Sequence, residues 1–181
     1  MTLDPVLLLL TRMAFGLFLV ASAMKKARDP AAFRVALSAY RLVPAGWTFA
    51  GAAGLTVLEL VVGVAVLAAP TEAVARFAFG AIASLLASYA VVLAVKLMRG
   101  ERDIDCGCLG WGAPSRGLRW SMVARNLALA SLAAAPAVLP RVARDLSGVD
   151  LLTVAAGLAV ATVLYLAVDT LIGLPSRRTA A

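Results

Sequence analysis

Histidine does not occur anywhere in this chain of 181 residues. Its absence excludes imidazole-ligated haem, the usual catalytic zinc sites and every Ser-His or Cys-His catalytic pair. Charge is also scarce. Only 15% of the residues are charged and 62% are hydrophobic, with a mean hydropathy of +0.94. Soluble domains carry about a quarter charged residues, so a soluble globular domain is excluded. Acids are the scarcer sign, 10 against 17 Lys and Arg. The resulting +7 does not indicate nucleic-acid binding, because the basic residues gather at the ends of apolar runs, where topology and anionic headgroups account for them.

What is abundant is long apolar sequence. The runs are continuous rather than short and alternating, which selects a helix bundle over a barrel. The expected fold is therefore all-α, a single polytopic membrane domain over residues 1–181 with four to five spanning helices. A bilayer core of about 30 Å needs about 20 helical residues. Five stretches qualify: Pro5–Met24, Gly46–Ala69, Ala73–Met98, Trp120–Leu139 and Asp150–Leu174. Asp4 stands where a signal peptide would carry basic residues, so the first run reads as a retained helix. Pro70 and Glu72 make a tight turn between the second and third helices, and Pro140 ends the fourth, which Pro136 kinks.

Two connections are long. Lys25 to Ala45 sets Phe33, Val35, Leu37, Tyr40 and Leu42 among Arg34 and Arg41, the pattern of a short amphipathic helix on the membrane surface. Arg99 to Arg119 holds both cysteines, three acids and five Gly, the polarity and backbone freedom that a site needs. With the N-terminus outside, Lys25, Lys26, Arg28, Arg34, Arg41, Lys96, Arg99, Arg102, Arg116, Arg119, Arg177 and Arg178 face one side, and only Arg76, Arg141 and Arg144 the other. The positive-inside rule then puts the Cys loop in the cytoplasm, beside a bacterial inner membrane.

The strongest chemical signal is Asp103-Ile104-Asp105-Cys106-Gly107-Cys108-Leu109-Gly110-Trp111-Gly112. Gly107 removes the Cβ that would crowd a very short disulfide ring, and such a ring departs from relaxed geometry and is easily reduced. So small a loop restricts the unfolded chain little, which favours exchange chemistry over a structural staple. Arg102, Arg116 and Arg119 favour a thiolate, whereas Asp103 and Asp105 oppose it, and those acids can accept protons during exchange. A metal reading competes: Cys106 and Cys108 can hold Cu(I), with Met98 and Met122 flanking, whereas zinc lacks its four ligands.

Four ionisable residues interrupt the apolar runs: Arg12, Glu59, Arg125 and Asp169. Such groups are costly in lipid and pair or line a cavity. At about 1.5 Å per residue, Arg12 and Glu59 both lie about 18–20 Å in from the Cys-loop side, and Arg125 and Asp169 about 8 Å. The expectation is two pairs, Arg12–Glu59 and Arg125–Asp169, with Asn126 beside the second. Both serve either helix packing or function. The tyrosines and tryptophans read as interfacial anchors or bundle packing, and a quinone can stack on some of them. Gly51, Gly54 and Gly63 permit close helix approach. No matched pair of broken segments points to a transport site.

These residues together resemble the MauE/DoxX family of redox-associated bacterial membrane proteins, on the MauE side, over about the first 130 residues. The resemblance rests on Ala23-Met24-Lys25-Lys26 with Asp29-Pro30, Phe33, Tyr40 and Pro44, then on Leu58-Glu59-Leu60, Asp105-Cys106-Gly107-Cys108-Leu109-Gly110 and Arg125-Asn126. The family often has Phe where Leu109 stands, and is described with four membrane helices, so the last helix here reads as an addition. The resemblance implies thiol–disulfide supply for methylamine dehydrogenase maturation with a thioredoxin-like partner, and, through DoxX relatives, quinone redox chemistry and membrane redox complexes. Disulfide supply implies a Cys loop outside, whereas the charge count places it inside.

The reading that combines both is a thiol–disulfide oxidoreductase in the lipid bilayer. Cys106 and Cys108 cycle between dithiol and disulfide, supported by Asp105, Gly107, Glu59, Arg12, Arg125, Asn126 and Asp169, with a thioredoxin-like protein as partner and a quinone as electron carrier. The alternatives are a non-enzymatic subunit or assembly factor docking a redox partner, within a membrane complex or a homo-oligomer, and a Cu(I)-handling protein.

Overall fold

The computed structural model describes residues 2–41, 44–101, 117–142 and 144–173. Within them are six α-helices: α1 Pro5–Arg28, α2 Pro30–Ala39, α3 Thr48–Ala68, α4 Glu72–Met98, α5 Trp120–Val138 and α6 Gly148–Gly173. All but α2 are long and apolar enough to cross a membrane.

Local chemistry sets the boundaries. Asp4 accepts from the Val6 amide at 2.8 Å and Pro5 opens α1, a cap followed by a residue whose missing N–H costs nothing there. The end of α1 differs from the expected Met24: the helix continues a full turn, through Lys25 and Lys26, to Arg28. Asp29 then ends α1 and caps α2, accepting from the Ala32 amide at 2.9 Å, with Pro30 first in the new helix. The expected amphipathic helix therefore exists as α2. The expected turn at Pro70 leads into α4, which Thr71 caps by accepting from the Val74 amide at 3.3 Å. At its other end Gly100 adopts φ +77, and the amides of Gly100 and Glu101 bond back to Leu97 and Lys96 carbonyls, each at 3.1 Å. Only glycine accepts that left-handed turn without a Cβ penalty.

In lipid, helices associate through close packing and interhelical hydrogen bonds rather than through water exclusion. Gly16 and Gly63 provide the closeness between α1 and α3. A Cβ on Gly16 would meet Leu67 at 2.4 Å, and one on Gly63 would meet the Gly16 carbonyl at 3.2 Å. Gly54, by contrast, faces open space and contributes nothing to the approach. α4 packs mainly on α5, and α6 lies on the flank of α1. One apolar core joins Phe15, Leu19, Val66, Phe79, Ile82 and Ala133. A second, at the end where α4 stops and α5 starts, joins Tyr40, Leu93, Leu97, Leu118 and Met122.

Candidate functional site

Between those two cores lies a polar network. Glu59, 1% exposed, projects from the middle of α3 into the bundle. Its Oε1 accepts from the Tyr89 hydroxyl at 2.6 Å and from Lys26 Nζ at 2.5 Å, and its Oε2 accepts from the Ser22 hydroxyl at 2.9 Å and again from Lys26. Ser22 in turn accepts from Lys26 Nζ at 3.0 Å. Lys26 is 8% exposed and its ammonium lies 5.1 Å from the Phe33 ring centre and 5.9 Å from that of Tyr89. A buried carboxylate is tolerable only when paired and hydrogen-bonded, and here two hydroxyls and a lysine satisfy it.

The expected Arg12–Glu59 pair is therefore not formed. Arg12 donates instead to the last carbonyls of α3: Nε to Val66 at 2.6 Å, and a terminal nitrogen to Leu67 at 2.9 Å and Ala69 at 2.8 Å. A cation there satisfies orphan acceptors and complements the negative end of the helix dipole. The depth reckoning failed because α1 ends at Arg28 and α3 begins at Thr48. With those ends Arg12 lies about 24 Å from the loop side and Glu59 about 16 Å, more than one helical turn apart.

The second expected pair is present. Arg125 of α5 contacts Asp169 of α6 at 2.5 Å, with side chains 10% and 9% exposed. The Arg125 guanidinium lies 5.7 Å from the Tyr165 ring centre, and that ring meets Phe18 of α1 edge-on at 5.2 Å. Asn126 is buried and donates to the Met122 carbonyl of its own helix at 2.9 Å.

Both constellations line one cavity of about 190 Å³. Its polar groups are Ser22, Lys26, Glu59 and Tyr89 from one side and Arg125 and Asn126 from another. Phe18, Phe33, Tyr40 and Tyr165 add aromatic walls, and α2 contributes Ala36 and Leu37. Lys26 stands in the last turn of α1, and Arg125 and Asn126 stand in the second turn of α5, the helix that follows the Cys segment in the chain. That segment's flanks are held in place. Glu101 accepts from buried Lys96 at 2.8 Å, which lowers the Glu101 carboxyl below the ordinary carboxylate range, and Gly117 adopts φ +88 on the return. Asp105, Cys106, Gly107 and Cys108 themselves lie outside the described residues.

Sequence reasoning missed Ser22, Lys26 and Tyr89. The signal was present: Phe15, Leu19, Ser22 and Lys26 repeat at helical spacing and are all buried in α1. Lys26 was assigned to the basic membrane edge because the helix was ended before it.

Comparison with known proteins identifies the chain. A family model described as methylamine utilisation protein MauE matches residues 4–139. The chain belongs to the MauE family. It is 32% identical to the methylamine utilization protein MauE of Paracoccus denitrificans over 186 aligned positions, 98% of this chain and 94% of that protein. It is 29% identical to MauE of Methylophilus methylotrophus over 97% of this chain and 90% of that protein. A third match, MauE of Paracoccus versutus, is 38% identical over 51% of this chain and 49% of its own. No solved structure matches. The MauE family match contains Ser22, Lys26, Glu59, Tyr89, Arg125 and Asn126, and ends before Asp169. The family match ends before α6, whereas the alignments with two MauE proteins cover 98% and 97% of this chain and so include the α6 segment.

Proposed function

We propose that this MauE-family protein is a thiol–disulfide redox protein of the bacterial inner membrane that serves methylamine utilisation, with Cys106 and Cys108 exchanging with a thioredoxin-like partner. The observation that supports the reading is the spacing of the chain's only two cysteines, one residue apart, in the connection between α4 and α5, two helices that each contribute residues to the polar cavity.

The exchange is balanced without any other reagent. A partner thiolate attacks one sulfur of the Cys106–Cys108 disulfide, that S–S bond breaks, and a mixed disulfide forms. The partner's second thiolate then attacks the mixed disulfide, leaving an oxidised partner and the Cys106/Cys108 dithiol. Two electrons pass from partner to pair, and the reverse sequence returns them.

The test is a redox titration of the full chain in detergent, read by alkylation mass shifts. The wild type shifts between unmodified and doubly alkylated in one two-electron transition, and Cys106→Ser and Cys108→Ser abolish it. A wild type that stays doubly alkylated at every potential of a glutathione series overturns the exchange mechanism.

The full satisfaction of the Glu59 network favours a second reading, a non-enzymatic assembly factor that docks a redox partner. On that reading, co-purification with the partner persists in the Cys106→Ser/Cys108→Ser double variant.

A further inference from the structure

We infer that the end of the bundle where α1 and α4 start and α3 and α5 stop holds the phosphate of one anionic phospholipid, bound by Arg76 and Arg141 beside Arg12.

Three separate parts of the chain bring these guanidinium groups to one place. Arg12 comes from α1, Arg76 from the second turn of α4 and Arg141 from just past the end of α5. Each is held. Arg12 is pinned on the last carbonyls of α3. Arg76 donates to Glu72 Oε1 through Nε at 2.9 Å, and a terminal nitrogen lies 2.8 Å from the same oxygen. Arg141 is fixed through its backbone: on one side the Leu3 amide bonds the Pro140 carbonyl at 2.8 Å, and on the other the Val142 amide bonds the Leu3 carbonyl at 3.0 Å. Cations ordered in advance lose little conformational freedom when an anion arrives.

The charge at this place is out of balance. Glu72 is the acid that Arg76 and Arg141 share, and Arg141 Nε lies 3.7 Å from the oxygen that Arg76 already takes. Asp4 and Asp150, at the same end, are engaged by Arg144. Burial, and then the Arg76 and Arg12 charges, hold the Arg141 guanidinium below its ordinary value, and Glu72 offsets part of this. The Arg141 side chain is only 15% exposed, and its buried Nε has no hydrogen-bond partner among the described residues. A partly desolvated excess of cation with an unmet donor calls for an anion.

The fork of a guanidinium matches the two unesterified oxygens of a phosphodiester. Depth and surroundings select a lipid over a free ion. Arg76 stands about 6 Å in from the start of α4, at headgroup level. The stretches that carry Arg76 and Arg141 also expose Val74, Phe77, Val138 and Val142, an apolar surface that acyl chains cover and inorganic phosphate does not need. The surplus of positive charge selects a headgroup without an ammonium, such as phosphatidylglycerol.

The experiment titrates the delipidated full chain in detergent with phosphatidylglycerol, or with phosphatidylcholine of the same acyl chains, and reads binding by native mass spectrometry. The first phosphatidylglycerol is expected to bind about tenfold more tightly than phosphatidylcholine. Arg76→Gln/Arg141→Gln removes that preference, with far-ultraviolet circular dichroism and thermal melting verifying the fold. Arg28→Gln/Arg34→Gln, at the other end of the bundle, leaves it in place. Glu72→Gln acts in the opposite direction: without the competing carboxylate, phosphatidylglycerol binds about threefold more tightly. A variant that gains binding keeps the test decisive even where the paired arginine variant fails to fold. Equal binding of the two lipids, or a preference unchanged in both Arg76→Gln/Arg141→Gln and Glu72→Gln, overturns the inference. Displacement of the lipid by millimolar inorganic phosphate assigns the cluster to a free anion and overturns it as well.

Discussion

At the residue scale the molecule turns on how it satisfies charge within lipid. Glu59 has a partner for each lone-pair direction, so removing one partner leaves a buried charge uncompensated, at a cost of about 3–5 kcal/mol. Lys26→Met and Glu59→Gln should therefore each lower the thermal midpoint in detergent sharply. The double variant should recover much of the loss, because both charges leave together. Arg12 makes the opposite comparison. Among the described residues it shares no partner with Glu59, so the effects of Arg12→Ala and Glu59→Ala should add within about 0.5 kcal/mol in a double-mutant cycle. An interaction energy above about 1 kcal/mol would restore the discarded pairing. The Arg12→Ala change alone exposes three carbonyls at the end of α3, and a loss of about 2–4 kcal/mol is expected from unmet acceptors in lipid.

At the scale of elements, the glycines divide into those that hold helices together and those that do not. Gly16→Ala pushes a methyl into Leu67 and should cost about 1–3 kcal/mol, whereas Gly54→Ala meets open space and should be neutral or slightly stabilising through helix propensity. Differential scanning of the two variants decides it. This is also the scale at which the sequence was read most successfully. The five apolar runs, the Pro70 turn and the short helix α2 were legible because length, hydropathy and proline set them. The pairing of Arg125 with Asp169 was legible because α5 begins where expected and α6 ends within a residue of the expected place, so the depths matched. Glu59 was recognised as a site residue but given the wrong partner. Hydropathy ends a helix at its last apolar residue, and α1 ends at Asp29, where a cap becomes available. Four residues of difference moved Lys26 from the membrane edge into the bundle. Tyr89 was illegible for another reason: nothing in a run of apolar residues tells which tyrosine turns inward.

Taken as a whole molecule, the two ends of the bundle are built differently. At the end opposite the Cys segment the N-terminus is tied to the α5–α6 connection. Leu3 exchanges backbone bonds with Pro140 and Val142, and Arg144 bonds both Asp4 and Asp150 at 2.9 to 3.3 Å. The Arg144 guanidinium holds the Asp4 carboxyl below its ordinary value of 3.8. A depressed carboxyl contributes stability that is present above its unfolded value and lost as pH falls through its folded one. Melting should therefore be flat from neutrality to about pH 5 and decline below about pH 4. Arg144→Ala should flatten that decline, and an unchanged acid limb would show that the tie contributes nothing. The opposite end carries the basic residues, and the positive-inside rule predicts a cytoplasmic Cys segment. An impermeant maleimide should then label Cys106 and Cys108 in inverted vesicles and spare them in intact cells.

Lys26 lies near the end of α1, and its acid lies in the middle of α3. While α1 is alone in the membrane, a lysine so close to the helix end can reach the headgroups along its own stem. Glu59 has no such recourse, being about 13 Å from the nearer end of its helix. Synthesis from the N-terminus thus delivers the mobile charge first and the trapped one second, when a counter-ion already waits at the right depth. The buried network becomes a rule for biogenesis: α3 settles in the bilayer by docking on α1, and a chain lacking Lys26 should stall at that step.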